Sequence, residues 1–258
     1  MRRHSLGLCG LVLCIVLAAC ASSKLVHNRP LFYRTSSELY SGDCLALARA
    51  SAGGDVVRIN KLVESGVDVD CRGAYGVTPL YWAIMSRTAS YDGLQQLLAI
   101  GADPNAFISS GEAMLHLAVM RGDSRVIRIL VDHGADVNLR DATKGRTPIY
   151  EIGFGLIGDP LSVLRELIAA GADVNARSQV GYTPLLELAS GFQFEAVEIL
   201  LAHGADPLAT SKNGVGLCDV MAVAARGGLS SSSKEHDAYV RLQSKIDCSK
   251  KNGRDSAT

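Results

Sequence analysis

Four things are missing from this chain of 258 residues, and each absence removes a class of function. There is no charge excess. Lys and Arg total 26 against 26 Asp and Glu, so no basic field points to nucleic acid as a partner. No apolar run reaches the ~20 residues that a transmembrane helix needs; the stretch 6–18 is shorter and broken by small residues. No Cys-x-x-Cys or His-x-x-x-His spacing occurs, so no metal site is expected. Nor is there a Gly-x-Ser-x-Gly nucleophile elbow. With no catalytic constellation in view, the chain is not expected to be an enzyme and no cofactor is implied.

What the chain does contain is a five-residue phrase that returns. It reads Gly66-Val67-Asp68-Val69-Asp70, Gly101-Ala102-Asp103-Pro104-Asn105, Gly134-Ala135-Asp136-Val137-Asn138, Gly171-Ala172-Asp173-Val174-Asn175 and Gly204-Ala205-Asp206-Pro207-Leu208. The glycines lie 35, 33, 37 and 33 residues apart. A period in this range marks a solenoid whose units each form one supersecondary element. A helix-like stretch ending in Leu-Leu or a close variant precedes most copies, and a further glycine follows each (Gly76, Gly111, Gly145, Gly181, Gly214).

These residues resemble the ankyrin repeat. Its Thr-Pro-Leu-His-x-Ala motif is matched by Thr78-Pro79-Leu80-Tyr81-Trp82-Ala83. It is matched in part by Ala113-Met114-Leu115-His116-Leu117-Ala118, Thr147-Pro148-Ile149-Tyr150 and Thr183-Pro184-Leu185-Leu186. The resemblance implies an all-α solenoid of about six helix-turn-helix units joined by β-hairpin-like fingers, spanning 41–248 with a cap at each end. In the first unit, helices are expected over 43–52 and 56–65; in the third, over 115–121 and 124–132, where Val126, Ile129 and Leu130 keep helical spacing. The second and fourth units are longer. Their extra residues, 86–91 and 153–160, fall between helices and bulge from one side, where they could brace each other or add a binding edge. A last helix is expected after the 227–233 linker, with Ser232 and Glu235 as a capping box and Tyr239, Leu242 and Ile246 as its apolar stripe.

The stretch Gly153-Phe154-Gly155-Leu156-Ile157-Gly158 imitates a dinucleotide fingerprint. That motif works between a strand and a helix, and no hydrophobic strand precedes it here. His116, His133 and His203 occupy repeat-determined places near helix ends or local hydrogen bonds.

The first 19 residues read as a signal peptide: Arg2-Arg3, the apolar stretch, then Leu17-Ala18-Ala19-Cys20. The last four look like the lipobox of bacterial lipoproteins. That resemblance implies cleavage before Cys20, acylation of Cys20 and a lipid anchor, with residues 20–40 as a flexible tether. Twenty residues reach at most ~70 Å. Ala21 after the cysteine favours the periplasmic face of the outer membrane over the inner membrane.

Removing the signal peptide and lipidating Cys20 leaves Cys44, Cys71, Cys218 and Cys248. Four cysteines in an oxidising compartment allow three pairings, with free thiols as the alternative. The solenoid implied by the resemblance keeps its ends apart, so the expected disulfides are 44–71 and 218–248. Each closes a loop of ~30 residues and is worth roughly 2–4 kcal/mol. Residues 249–258 are expected to be a disordered tail.

In ankyrin proteins the finger tips and the exposed end of each first helix form a concave, partner-binding face. Carried over by position, that face includes Tyr75, Met85, Phe107, Met120, Arg121 and Tyr182, along with Glu112 and Arg146. Tyr, Met and Arg are enriched at interface cores, and Phe107 is an aromatic where the repeat needs none. The expectation is a monomeric, lipid-anchored periplasmic protein that binds a protein partner, possible roles being an inhibitor or immunity factor for a periplasmic enzyme. The alternative is a scaffold for an envelope complex.

Overall fold

The computed structural model describes residues 34–248 apart from Thr88, 155–157 and 228–232. Cys20, the signal peptide, Ser232 and the tail 249–258 lie outside the described residues. Twelve α-helices follow one another: α1 (Ser36–Leu39), α2 (Gly42–Gly53), α3 (Val56–Glu64), α4 (Pro79–Met85), α5 (Tyr91–Ala99), α6 (Met114–Arg121), α7 (Ser124–Asp132), α8 (Pro160–Ala169), α9 (Pro184–Ser190), α10 (Phe194–Ala202), α11 (Leu217–Gly227) and α12 (Lys234–Lys245). Two 3-10 helices, Ala74–Gly76 and Pro148–Phe154, complete the described elements. None of the described helices is long and apolar enough to cross a membrane.

The helices stack in two layers. The inner row runs α2, α4, α6, the Pro148–Phe154 helix, α9 and α11; the outer row runs α3, α5, α7, α8, α10 and α12. One apolar core extends through all of them, from Leu39 to Leu242. This is an all-α solenoid, each unit burying its apolar face against its neighbours because no unit can bury it alone. Among the described residues there is no strand. The fingers carry only isolated bridges, Phe107 with Ala113 and Thr210 with Gly216.

Local chemistry explains the helix ends. Pro79 and Pro184 sit in first turns, where a missing N–H costs nothing. The hydroxyls of Thr78 and Thr183 accept from Tyr81 N and Leu186 N, both at 3.3 Å. Asp123 caps α7 by accepting from Arg125 N and Val126 N. At the other end the phrase glycine reverses the chain; Gly134 has a φ of 89° that a side chain would strain.

Repeat four departs from this pattern. Its inner helix is 3-10, not α, with Tyr150 N bonded to Thr147 O and the Thr147 hydroxyl buried without a partner. Gly153 and Gly155 fall where α6 has Val119 and Arg121, and each glycine costs a helix about 1 kcal/mol. An α-helix is disfavoured at this place by that amount.

The long repeats seat themselves on the unit before. A Cβ on Gly93, in α5, would stand 1.8 Å from the Ser51 carbonyl oxygen, and one on Gly158 would stand 2.1 Å from that of Gly122. Only glycine lets α5 and the entry to α8 approach this closely. Among the described residues, each insertion therefore leans on the preceding repeat. The third glycine of the dinucleotide-like run has this packing duty.

Both ends differ from the sequence expectation. Residues 36–40, assigned to the tether, are folded: Leu39 and Tyr40 are buried, and the Tyr40 hydroxyl donates to Thr78 O. The tether reading fails there because Leu39 and Tyr40 cover the open inner face of the first unit. At the other end α12 starts at Lys234 with Ser233 as its cap, whose hydroxyl accepts from His236 N at 3.1 Å. The Glu235 carboxylate instead accepts from Glu195 N, tying α12 to α10.

The phrase itself is the joint between units. Its aspartate accepts its own backbone two residues on, as Asp136 does from Asn138 N at 2.8 Å. Its last residue reaches forward: Asn138 Oδ1 accepts from Asp173 N at 2.8 Å, and Asn138 Nδ2 donates to Gly171 O at 3.1 Å. Asn105 and Asn175 repeat both bonds one unit earlier and one later. Asp70 can only accept, and takes Asp103 N. Leu208, 80% exposed, stands where no further phrase follows. Asn138→Ala should lower stability by about 1–2 kcal/mol, the worth of two neutral hydrogen bonds, while Leu208→Asn should change it little; urea unfolding of both variants checks the pair.

Candidate functional site

The inner helices and the fingers share one side of the solenoid. Each finger closes with a backbone bond, such as Ser178 N to Tyr182 O, and is pinned to the next, as Gln179 N is to Lys144 O. A row of arginines reinforces this. Arg72 Nη1 donates to Gly76 O and Phe107 O, Arg140 Nη1 to Gly145 O and Arg177 O, and Arg177 Nη1 to Gly181 O and Thr210 O. Each arginine stands two residues past its phrase. Phe107 stands at the same place in the third unit and has no donor to offer. Thr210 stands at that place in the last unit.

Finger four is offset as well. It is one residue longer, so Ala142 N meets Gly111 O where the other fingers meet the residue before the glycine. Its turn is wound around Asp141, whose carboxylate accepts from Thr143 N, Thr143 Oγ1, Lys144 N and Arg146 N. Burial pushes Asp141 up, but these hydrogen bonds outweigh it and hold the carboxyl below its usual range.

The six residues picked from the sequence fall on this side with unequal freedom. Tyr75, at a finger tip, is 47% exposed, and the Arg34 guanidinium lies 4.7 Å from its ring centre. Phe107 is half-buried in the arginine row. Met85, Met120 and Tyr182 are partly buried and pack on the core, and Tyr182 O also lies 2.7 Å from the Tyr150 hydroxyl. Arg121 has a task inside the molecule. Its guanidinium donates to Ile84 O and, at 2.7 Å, to Ser86 O, holding the start of the first insertion. Tyr91 donates to Asp123 from the same insertion's far end, under Arg125.

The charged groups missed as a set lie between repeats three, four and five. Arg146 pairs with Glu187 at 3.3 Å, both side chains mostly buried. Burial drives Glu151 up to about 7, with Arg146 pulling it down and Glu112 pushing it further up. His116 is fully buried, which lowers its pKa, and its Nε2 lies 3.0 Å from Arg146 O. Glu112 and Arg146 were within reach of sequence reasoning. Glu151 and Glu187 needed the alignment of one repeat on the next, since each sits six residues past a finger glycine.

Among the described residues no three or more His, Cys, Asp or Glu gather to hold a metal ion. His133 and His203 turn Nδ1 to the carbonyls of Ile129 and Ile199, four residues back on their helices. The four described cysteines are paired: Cys44 with Cys71 at a Cα–Cα distance of 6.0 Å, and Cys218 with Cys248 at 5.6 Å.

Comparison with known proteins bears on the same units. The family "Ankyrin repeats (3 copies)" matches residues 89–152, and "Ankyrin repeat" matches 180–212. The ankyrin repeat protein YahD of Escherichia coli K12 is 31% identical over 173 residues, covering 64% of this chain and 82% of YahD. The chain belongs to the ankyrin-repeat family. Protein PhlB of Serratia liquefaciens is 38% identical over 141 residues, 55% of this chain and 60% of PhlB. The p105 subunit of nuclear factor NF-kappa-B from Gallus gallus is 34% identical over 112 residues, 43% of this chain and 11% of p105. The chain thus spans less than two thirds of those two relatives. An ankyrin repeat is a protein–protein interaction module.

Removing the Arg121 clamp should be felt locally. Arg121→Ala is expected to lower stability by about 1.5–3 kcal/mol, the range for hydrogen bonds to a charged donor. Amides of 86–94 should exchange faster than those of α9 in the same variant, which hydrogen exchange read by mass spectrometry will test.

Proposed function

We propose that this is a lipid-anchored periplasmic ankyrin-repeat protein that binds a protein partner on its concave, finger-lined face and restrains that partner's activity, as an inhibitor or immunity factor does. The observation that carries the binding face is Phe107. Arg72, Arg140 and Arg177 use their position to clamp neighbouring fingers, and Phe107 gives up that clamp between finger tips that otherwise carry it. A residue that breaks a local rule without a gain in stability is a candidate for function. Tyr75 and Val180, 47% and 59% exposed at other finger tips, support the same face.

The anchor rests on the lipobox-like Leu17-Ala18-Ala19-Cys20. Two acyl chains bind a membrane stably at ~0.8 kcal/mol per buried methylene. The address draws support from the cysteine pairs, since disulfides persist in oxidising compartments. On this reading, thiol mapping by non-reducing mass spectrometry of protein from the periplasm finds no free thiol at Cys44, Cys71, Cys218 or Cys248. Four free thiols there would remove the oxidising address.

The test of the binding face is a crosslinking pulldown from the envelope, run beside Phe107→Arg. The variant completes the arginine row, so its stability should hold or rise by about 1 kcal/mol, while capture of the partner is lost. A partner retained by the variant would move the site away from Phe107, and no partner from the folded parent would end the binding reading.

A further inference from the structure

The clamp arginines spend only part of what they offer. Arg72, Arg140 and Arg177 each bond the carbonyls of two fingers through Nη1 alone. All three residues are exposed, and among the described residues none of them forms an ion pair. A guanidinium has five N–H donors, so Nε and Nη2 remain, the side-on fork that meets a carboxylate with two parallel bonds. The Nη1 bonds hold each fork in place beforehand, which lowers the ordering cost of meeting a ligand.

The anions on the same side are already engaged. Asp141 accepts four bonds from its own turn, and Glu187 is paired with Arg146. Asp136 and Asp173 turn to their own backbone. Asp70 feels the charge of Arg72, but its oxygens take Asp103 N. The finger tips add Lys144 and Lys212, both exposed and without an ion pair among the described residues.

Spacing decides what fits. The places two residues past the phrase hold Arg72, Phe107, Arg140 and Arg177, one per repeat. Arg72 Nη1 reaches Phe107 O and Arg140 Nη1 reaches Arg177 O, so consecutive places are neighbours. Stacked helices lie ~8–10 Å apart. A polyproline II segment rises ~9 Å per turn of three residues, which brings every third side chain to one face in step with the repeats. A β-strand returns to one face every ~7 Å and falls out of step.

We propose that the row of Arg72, Phe107, Arg140 and Arg177 binds an acidic segment of the partner in polyproline II conformation, with three carboxylates on the arginines and one apolar side chain on Phe107. This rests on the binding face proposed above and names what that face takes. Each carboxylate meets a guanidinium fork side-on. Phe107 sets the register, because a fourth carboxylate there would face a ring instead of a cation.

The probe is the peptide Glu-Pro-Pro-Phe-Pro-Pro-Glu-Pro-Pro-Glu, and the same sequence reversed, titrated by calorimetry into the full chain. One direction should bind, and raising salt from ~0.05 M to ~0.5 M should weaken it about tenfold as screening shortens. Gln in place of the three Glu should cost about tenfold or more, since the charge-assisted forks are lost. Glu in place of the peptide's Phe should weaken binding to the parent, and Phe107→Arg should reverse that preference, which a purely structural role for Phe107 cannot do. Lys144→Glu and Lys212→Glu should weaken binding, while Arg165→Glu, exposed on the outer helix α8, should not. Equal binding of the Glu and Gln peptides, or no binding of either direction by the folded parent, would overturn the acidic segment. The binding face would still stand if the parent captures an envelope partner that Phe107→Arg loses.

Discussion

The structure depends on one recurring contact: a phrase asparagine that accepts from one backbone N–H of the next unit and donates to one of its carbonyls. Asn105, Asn138 and Asn175 each make both bonds. Reversal of the chain at the phrase glycine leaves polar backbone groups that a helix can no longer satisfy. The amide of asparagine offers a donor and an acceptor at once, so one side chain serves both. The apolar core supplies most of the driving force for stacking. The asparagines set the register in which that force acts.

Against this regular background the middle of the array stands out. Repeats three and four are joined by the same asparagine bonds, yet the arginine clamp is missing at Phe107, finger four is displaced by one residue, and an inner helix is 3-10. The like-charged Glu112 and Glu151 lie at that boundary too. In a quasi-one-dimensional molecule each boundary contributes its own nearest-neighbour stability. This boundary keeps other ties, the bidentate pair of Arg128 with Glu166 between the outer helices and the bond of His116 to Arg146 O.

The two ends are closed by different means. Leu39 and Tyr40 cover the first inner helix, while α12 completes the outer row without a phrase of its own. It is held by Tyr239 against Phe194, with ring centres 5.1 Å apart, and by Arg241 paired to Glu198. A disulfide adds a tie to each terminal unit.

Much of this could be read from the residues alone. The phrase period, the Thr-Pro starts and the glycine stops dictated a two-layer helical solenoid, because periodic apolar spacing and backbone preference are local properties. The third unit's helices were legible to within one residue. What the chain could not announce was which side chains would be used up inside it. Arg121 looks like an exposed interface arginine until its guanidinium is found on the carbonyls of Ile84 and Ser86, 37 and 35 residues away. Phe107 looked odd for its type; only the arginines stacked on either side show what it replaces. Leu39 and Tyr40 passed for tether because the groove they fill exists only once the first units are stacked. Local preference writes the repeat, but contacts between repeats join residues some 30 to 40 positions apart, and only the assembled stack decides which of them meet.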